Sequence, residues 1–347
     1  MLKKYTIRDI ANLAGVSKGT VDRVLHHRGK VSETALKKVN DILDKIDFKP
    51  NLIAKNLKNN KVYRICVLLP DPKKDVYWEP CISGINTVIS ELGAFGVNIE
   101  TVLFNPTQTK SFLDANAQIQ RSMPDAVLLV PLFFKEALIV METYEALGIK
   151  VSTFNNRIAS EAAKSFIGQD LFQSGRVGAK LLQSLVNEGD IAILHVSEKY
   201  KNAVFMQEKE KGFISFFNDL DSPNYNLLKH KLKDLDFETS LKNFIAEHPH
   251  LKGIFVTTSK THQVATIIQK STPKKIALVG YDLLTENIAY LKKGTIDFLI
   301  HQHPKQQAYL GLKLLVEHFI FEKEIPSQLL LPIDIINSEN ITLSARD

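Results

Sequence analysis

Lys18, Gly19, Asp22, Arg23 and His26 recur at i, i+1, i+4, i+5 and i+8, the spacing that lines one stripe of a helix. Lysine and arginine near the start of such a helix reach guanine O6 and N7 in a major groove, and hydroxyls beside them suit phosphate oxygens. Ser17 and Thr20 supply hydroxyls on this segment, and Thr6 supplies one at the start of the segment before it. Far along the chain, Tyr77 and Trp78 follow an apolar run, where aromatic faces can stack on the C–H side of a sugar. The residue types point to polynucleotide contact at one end and small-molecule contact elsewhere.

Covalent chemistry has no comparable support. A dinucleotide Gly-x-Gly-x-x-Gly, a Walker A loop, a His-Glu-x-x-His helix and a Gly-x-Ser-x-Gly elbow are all missing. His301-x-His303 has no Cys, His or Asp companions at ligand spacing, so it reads as a strand-end pair and not as a metal site. The chain is expected to be neither an enzyme nor a metal or cofactor protein.

Charge separates the two ends. Residues 1–61 carry 14 Lys and Arg against 6 Asp and Glu, whereas the remaining 286 residues carry 30 against 32. A basic module on a nearly neutral body is the electrostatic footprint of phosphate binding. Two cysteines, Cys66 and Cys81, make no disulfide framework or Cys-x-x-Cys pair, which favours a reducing cytoplasm. No run approaches the roughly 18–20 apolar residues of a membrane helix, and the start of the chain does not read as a secretory signal.

The stripe must be positioned by the elements around it. Thr6-Ile7-Arg8-Asp9 is a capping signature, after which Ile7, Ile10, Ala11 and Ala14 share a helical face that Gly15 ends. Ser17 opens a second helix, with Val16, Val21, Val24 and Leu25 turned to a core. Ser32-Glu33 opens a third, carrying Ala35, Leu36, Val39, Ile42, Leu43 and Ile46. The short connection makes the first two helices cross steeply, as a helix-turn-helix.

Ile7-Arg8-Asp9-Ile10-Ala11, Ala14-Gly15-Val16-Ser17, Thr20-Val21, Arg23-Val24-Leu25 and the later Pro50-Asn51-x-x-Ala54-x-x-Leu57 together resemble the LacI/GalR family of transcriptional repressors. The resemblance implies a DNA-binding domain over 1–50 and a hinge helix and linker over 51–61. Asn51, Ala54 and Lys55 would lie in that hinge, with Leu57 wedged between base pairs of the minor groove. Asp22, His26 and Gly19 depart from the family pattern, so base readout is expected to concentrate on Lys18, Arg23 and His26.

After Lys61, apolar runs at 65–69, 97–104, 126–130, 150–154, 191–196, 253–256, 276–280 and 296–300 alternate with helical patterns at 80–92, 175–186, 205–217 and 304–321. That alternation means parallel sheets flanked by helices, and so many strands fit two α/β lobes better than one sheet. The resemblance implies a periplasmic-binding-protein type I body over 62–347. Its chain would cross between lobes near 168–171, 293–296 and 331–333. The first lobe would hold 62–168 and 296–331, and the second 169–295 and 332–347.

A ligand would then lie between lobes at the carboxyl ends of the strands. The resemblance matches Asp282 and Gln302 to family pocket positions and Asn155 to a strand end where relatives often carry aspartate. It matches Lys209 to a common arginine and Thr258-Ser259 to a more usual Asn-Asp pair. Asp170 and Phe172, at the first crossing, complete the candidates. Lysine lacks the guanidinium fork, which leaves a sugar, a sugar acid or a sugar phosphate as effector.

The expected function is a homodimeric regulator of double-stranded operator DNA, with no membrane association. The alternative is a sugar-binding sensory protein with a non-functional head. The carboxyl-terminal residues carry no leucine heptad, so a tetramerising extension is not expected.

Overall fold

The computed structural model describes residues 5–25, 29–46, 61–196, 204–220, 224–232, 236–271 and 274–341. It divides into a head, Met1–Lys58, and a body, Asn59–Asp347.

The head contains α1 (Ile7–Ala14), α2 (Lys18–Leu25) and α3 (Glu33–Lys45). Thr6 and Asp9 form a reciprocal capping box: the Thr6 hydroxyl accepts from Asp9 N, and the Asp9 carboxylate accepts from Thr6 N at 2.8 Å. Gly15, left-handed at φ 63°, closes α1. Ser17 accepts from Thr20 N at 3.1 Å and opens α2, and Ser32 caps α3. Ile10, Ala11, Ala14, Val21, Val24 and Val39 form a small core. Ile7 and Leu36, expected on apolar faces, are exposed.

The body opens with β1 (Tyr63–Pro70), α4 (Glu79–Leu92), β2 (Val97–Phe104), α5 (Thr109–Ser122), β3 (Ala126–Leu129), α6 (Phe134–Ala146), β4 (Lys150–Phe154) and β5 (Ala163–Gly168). It continues with α7 (Leu171–Leu185), β6 (Gly189–Val196), α8 (Val204–Asp219), β7 (Tyr225–Leu232), α9 (Phe237–Glu247), β8 (Leu251–Val256), α10 (Thr261–Ser271), β9 (Ala277–Tyr281), α11 (Thr285–Lys292) and β10 (Phe298–His301). It ends with α12 (Pro304–Phe321), β11 (Gln328–Leu330) and β12 (Asp334–Ile336).

The strands form two sheets, ordered β11-β5-β4-β3-β1-β2 and β12-β10-β9-β8-β6-β7. Every pairing is parallel except β10 with β12. β3 and β9 are unbroken apolar runs, and β1 is one from Ile65 onward, because helices cover both faces.

The two lobes repeat one construction. Gly84 in α4 lies against the Lys305 carbonyl of α12, and Gly212 in α8 lies against the Phe172 carbonyl of α7. A Cβ at either glycine would run into that carbonyl. Each pair joins the helix after its sheet's first strand to the helix after the fifth strand of the other sheet. That exchange locks the chain crossings into the lobe cores.

The second crossing differs from expectation. The chain does not leave the second lobe near Lys293–Ile296. It turns at Gly294, φ 71°, and runs into β10, which pairs parallel with β9. Ile296 and Leu299 are buried in the second-lobe core, so this segment is held there until Gln302–His303. The first-lobe return therefore begins at α12, which packs beneath β4 and β5. The first and third crossings run through Gln169–Asp170, between β5 and α7, and through 331–333, between β11 and β12.

Candidate functional site

In the head, Ser17, Lys18, Gly19 and Arg23 are exposed, while Thr20 and Asp22 are half-buried. The alternation follows from Val21 and Val24 entering the core, which turns the intervening polar stripe outward. The Ser17 and Thr20 hydroxyls lie 2.9 Å apart, and the exposed Thr6 hydroxyl donates to Asp9 at 2.7 Å. Both caps pin the start of their helices before any ligand arrives. His26, Asn51, Ala54, Lys55 and Leu57 lie outside the described residues.

In the body, seven of the nine candidate effector residues line one cleft between the lobes. Tyr77, Trp78 and Asn155 come from the first lobe, and Lys209, Thr258, Asp282 and Gln302 from the second. Tyr77 and Trp78 follow β1, Asn155 follows β4, Thr258 follows β8, Asp282 follows β9 and Gln302 follows β10. All five strands end at this cleft because their sheets are parallel there. The free space is about 50 Å³, room for a few waters, so a larger ligand enters only as the lobes part.

Asp282 is 2% exposed. Its carboxylate accepts from Gln302 Nε2 at 2.7 Å and from Gln302 N at 3.3 Å. Gln302 is itself held through its carbonyl, which accepts from buried Gln307 Nε2 at 2.5 Å. Opposite, Asn155 Nδ2 donates to the Tyr77 hydroxyl at 2.6 Å. Burial pushes the Tyr77 hydroxyl well above the usual phenol range, so it stays neutral. Trp78 packs edge-on against Phe154 and is almost fully buried.

Lys209 is a buried cation of the cleft. Its Nζ donates to the Thr257 carbonyl at 3.2 Å and sits 3.5 Å from the centre of the Tyr281 ring. Its backbone is fixed by Gly175, which lets α7 close on the Lys209 carbonyl. Burial pulls the ammonium well below the ordinary lysine range, opposed by the Asp282 carboxylate. Burial pushes Asp282 above the ordinary aspartate range, opposed by Lys209 and the Gln302 hydrogen bonds.

Asp170 and Phe172 are not in this cleft. They line an adjoining chamber of about 290 Å³ that shares Leu132 and Phe205 with it. Asp170 caps α7, accepting from Gln173 N at 2.9 Å. One of its carboxylate oxygens is engaged at the helix start.

Three residues that sequence reasoning passed over hold the site together. Asn287 Nδ2 lies 2.7, 3.0 and 2.9 Å from the carbonyls of Ser259, Tyr281 and Asp282, tying the loops after β8 and β9. Gln169 Nε2 donates to the His301 carbonyl at 2.7 Å and the Pro332 carbonyl at 2.6 Å, so one amide joins all three crossings. His195, at the end of β6, lies 2.9 Å from the Thr257 hydroxyl and 2.6 Å from Glu210. A buried amide in a helix or linker, or a histidine near the end of an apolar strand, reads like any other polar residue, which is why pattern alone does not single these out.

His303 Nε2 lies 3.0 Å from Asp334 at the crossings. Burial, with His303 beside it, pulls His301 down to about 3. Among the described residues, no group of His, Cys, Asp and Glu is arranged to hold a metal ion, and no helix is long and apolar enough to cross a membrane.

A three-helix head with an outward basic stripe, joined to a two-lobed α/β body with a polar cleft between its sheets, defines a class of ligand-responsive regulator. Residues 65–323 match the periplasmic binding protein domain, and residues 6–51 match the bacterial regulatory proteins of the lacI family. The chain belongs to the periplasmic binding protein domain family through its body and carries a head of the lacI regulatory family.

Among its relatives, the sucrose operon repressor of Streptococcus mutans is 23% identical, over 98% of this chain and 100% of the relative. The ribose operon repressor of Lactococcus lactis is 24% identical, over 97% of this chain and 98% of the relative. A crystal structure assigned as a LacI transcriptional regulator from Bacteroides fragilis superimposes with a TM-score of 0.75 at 29% identity, over 82% of this chain and 99% of its own. A D-arabinose complex of a transporter solute-binding protein from Burkholderia graminis shares the fold, with a TM-score of 0.70 at 21% identity over 82% and 98% of the two chains.

Proposed function

We propose that this chain is a DNA-binding transcriptional regulator, acting as a homodimeric repressor in the cytoplasm. Its operator affinity is set by a sugar or sugar derivative held between the lobes of its body. The observation that carries this reading is the meeting of Asp282 and Gln302 with Tyr77 and Asn155 in one cleft at strand ends. Carboxylate, amide and phenol groups facing one space are what a polyhydroxyl ligand needs, and their supply from both lobes lets a ligand bias lobe orientation. The sucrose and ribose operon repressors among the relatives support a sugar as the effector class.

On DNA, Arg23 and Lys18 contact base edges while Ser17 and Thr20 contact phosphates. Two heads reading a near-palindrome require a two-fold partner. The effector shifts DNA affinity only by its differential affinity for the lobe arrangement that binds the operator.

The test is fluorescence anisotropy with DNA fragments from beside the protein's own gene, titrated with and without a panel of sugars, sugar acids and sugar phosphates. Sequence-selective binding that one compound class shifts is the expected result. Equal binding to random DNA, or selective binding that no compound in the panel alters, contradicts the reading.

A further inference from the structure

The polar cleft does not end at its own wall. Leu132 from the first lobe and Phe205 from the second form a partition, and beyond it lies the chamber of about 290 Å³. Its character is different. Phe134, Phe166 and Ile158 of the first lobe face Phe172 and Phe205 of the second across it.

Some polar groups in the chamber wall are engaged within the protein, while Gln169 Oε1 is buried there without a hydrogen-bond partner. Asp170 caps α7, Glu208 pairs with Lys211 at 2.7 Å, and Gln169 Nε2 is held by His301 and Pro332. Arg157 is exposed. An occupant of this chamber gains mainly apolar contact, and it gains that contact from both lobes at once.

We propose that the effector is a glycoside, with its sugar ring in the polar cleft and an apolar-faced aglycone passing Leu132 and Phe205 into this chamber. The proposal rests on the reading of the polar cleft as the effector site. A free monosaccharide would leave the chamber unfilled, whereas an aglycone seated between Phe172 and Phe134 adds contacts that exist only while the lobes are together. Its differential affinity for the closed arrangement therefore exceeds that of the sugar alone.

The experiment is isothermal titration calorimetry on the full chain with matched sets of free sugar, methyl glycoside and phenyl glycoside, each for glucose, galactose, mannose and xylose, with maltose and sucrose as disaccharides. For the sugar that fits, the phenyl glycoside is expected to bind about tenfold or more tightly than the methyl glycoside, from the apolar area buried. L330W places an indole in the chamber from Leu330, a partly exposed wall position at 45% exposure, and is expected to abolish that gap while the free sugar binds as before. F172A is expected to narrow the gap without closing it.

Equal affinities across a matched set, or a phenyl gain that L330W leaves intact, overturn the glycoside proposal and leave the effector site standing. A gain shown by the disaccharides and not by the phenyl glycosides overturns the apolar character assigned to the chamber. Failure of every sugar and glycoside to bind contradicts the proposal together with the reading beneath it.

Discussion

Asn155 and Asp282 occupy equivalent positions in the two lobes. Each follows the fourth strand of its sheet in chain order, and each is left-handed, at φ 69° and 68°. Each donates its backbone N–H to the fifth strand at 3.0 Å, to the Ile167 and Ile300 carbonyls. Left-handed backbone is uncommon for residues other than glycine and is best tolerated by Asn and Asp. The duplication thus turns one short polar side chain from each lobe into the same cleft, at a small backbone cost repeated on both sides.

Asp282→Asn keeps that conformation and removes the carboxylate. Hydrogen bonds to a charged acceptor are worth more than neutral ones, so effector affinity is expected to fall roughly 10- to 100-fold. Thermal stability should fall, because the amide cannot accept from both Gln302 donors and the buried Lys209 loses its counter-charge. Calorimetry and thermal unfolding measure the two effects separately.

Lys209 gives the protein a distinct pH dependence. Its folded value is lowered below the ordinary 10.5, so between those limits the unfolded chain binds more protons than the folded one. Stability attributable to Lys209 therefore rises with pH across that interval. Lys209→Met removes the titrating group, and its melting temperature is expected to climb less than the parent's from near neutrality to pH 10.5. Parallel profiles would mean that the ammonium is not penalised by burial.

Gln169 joins the three crossings through two carbonyls and is itself 2% exposed. Gln169→Leu leaves both acceptors unpaired, and the expected loss is about 2–4 kcal/mol in a denaturant titration. The effector should also shift DNA affinity less in this variant, because the crossings are what transmit lobe orientation.

Gly84 and Gly212 make matching close approaches, to Lys305 and Phe172. Alanine at either is expected to destabilise the body by about 2 kcal/mol or more, since backbone must move to admit a Cβ. Similar losses at the two positions in parallel melts would follow from the repeated construction.

Much of this was legible beforehand because it rests on local pattern. Each of the eight apolar runs overlaps a strand, three of them running past its ends, and Asp282 and Gln302 stand out as polar residues that follow them. The strands not foreseen carry weaker signals. β5, Ala163–Gly168, mixes Lys164 and Ser165 into its run, and β7, Tyr225–Leu232, is an edge strand with exposed Lys229 and half-buried His230. β11 and β12 are three residues long and exist through their pairing with β5 and β10.

The second crossing is not legible in the pattern, because a strand at 296–300 is visible there while the sheet it joins is decided by packing against β9. Asp170 and Phe172 lie near a crossing in sequence, which does not by itself place them in the cleft. Leu132 and Phe205, distant in sequence, are what divide them from it.

The most direct measurement is DNA binding by the full chain and by Arg23→Ala, on a fragment selected for tight binding and on random sequence at one salt concentration. Arg23 is exposed on α2 while its neighbours Val21 and Val24 are buried. Loss of a base contact predicts roughly 10- to 100-fold weaker binding to the selected fragment, with a much smaller change on random DNA. A variant that holds the selected fragment as tightly as its parent would contradict a sequence-reading head.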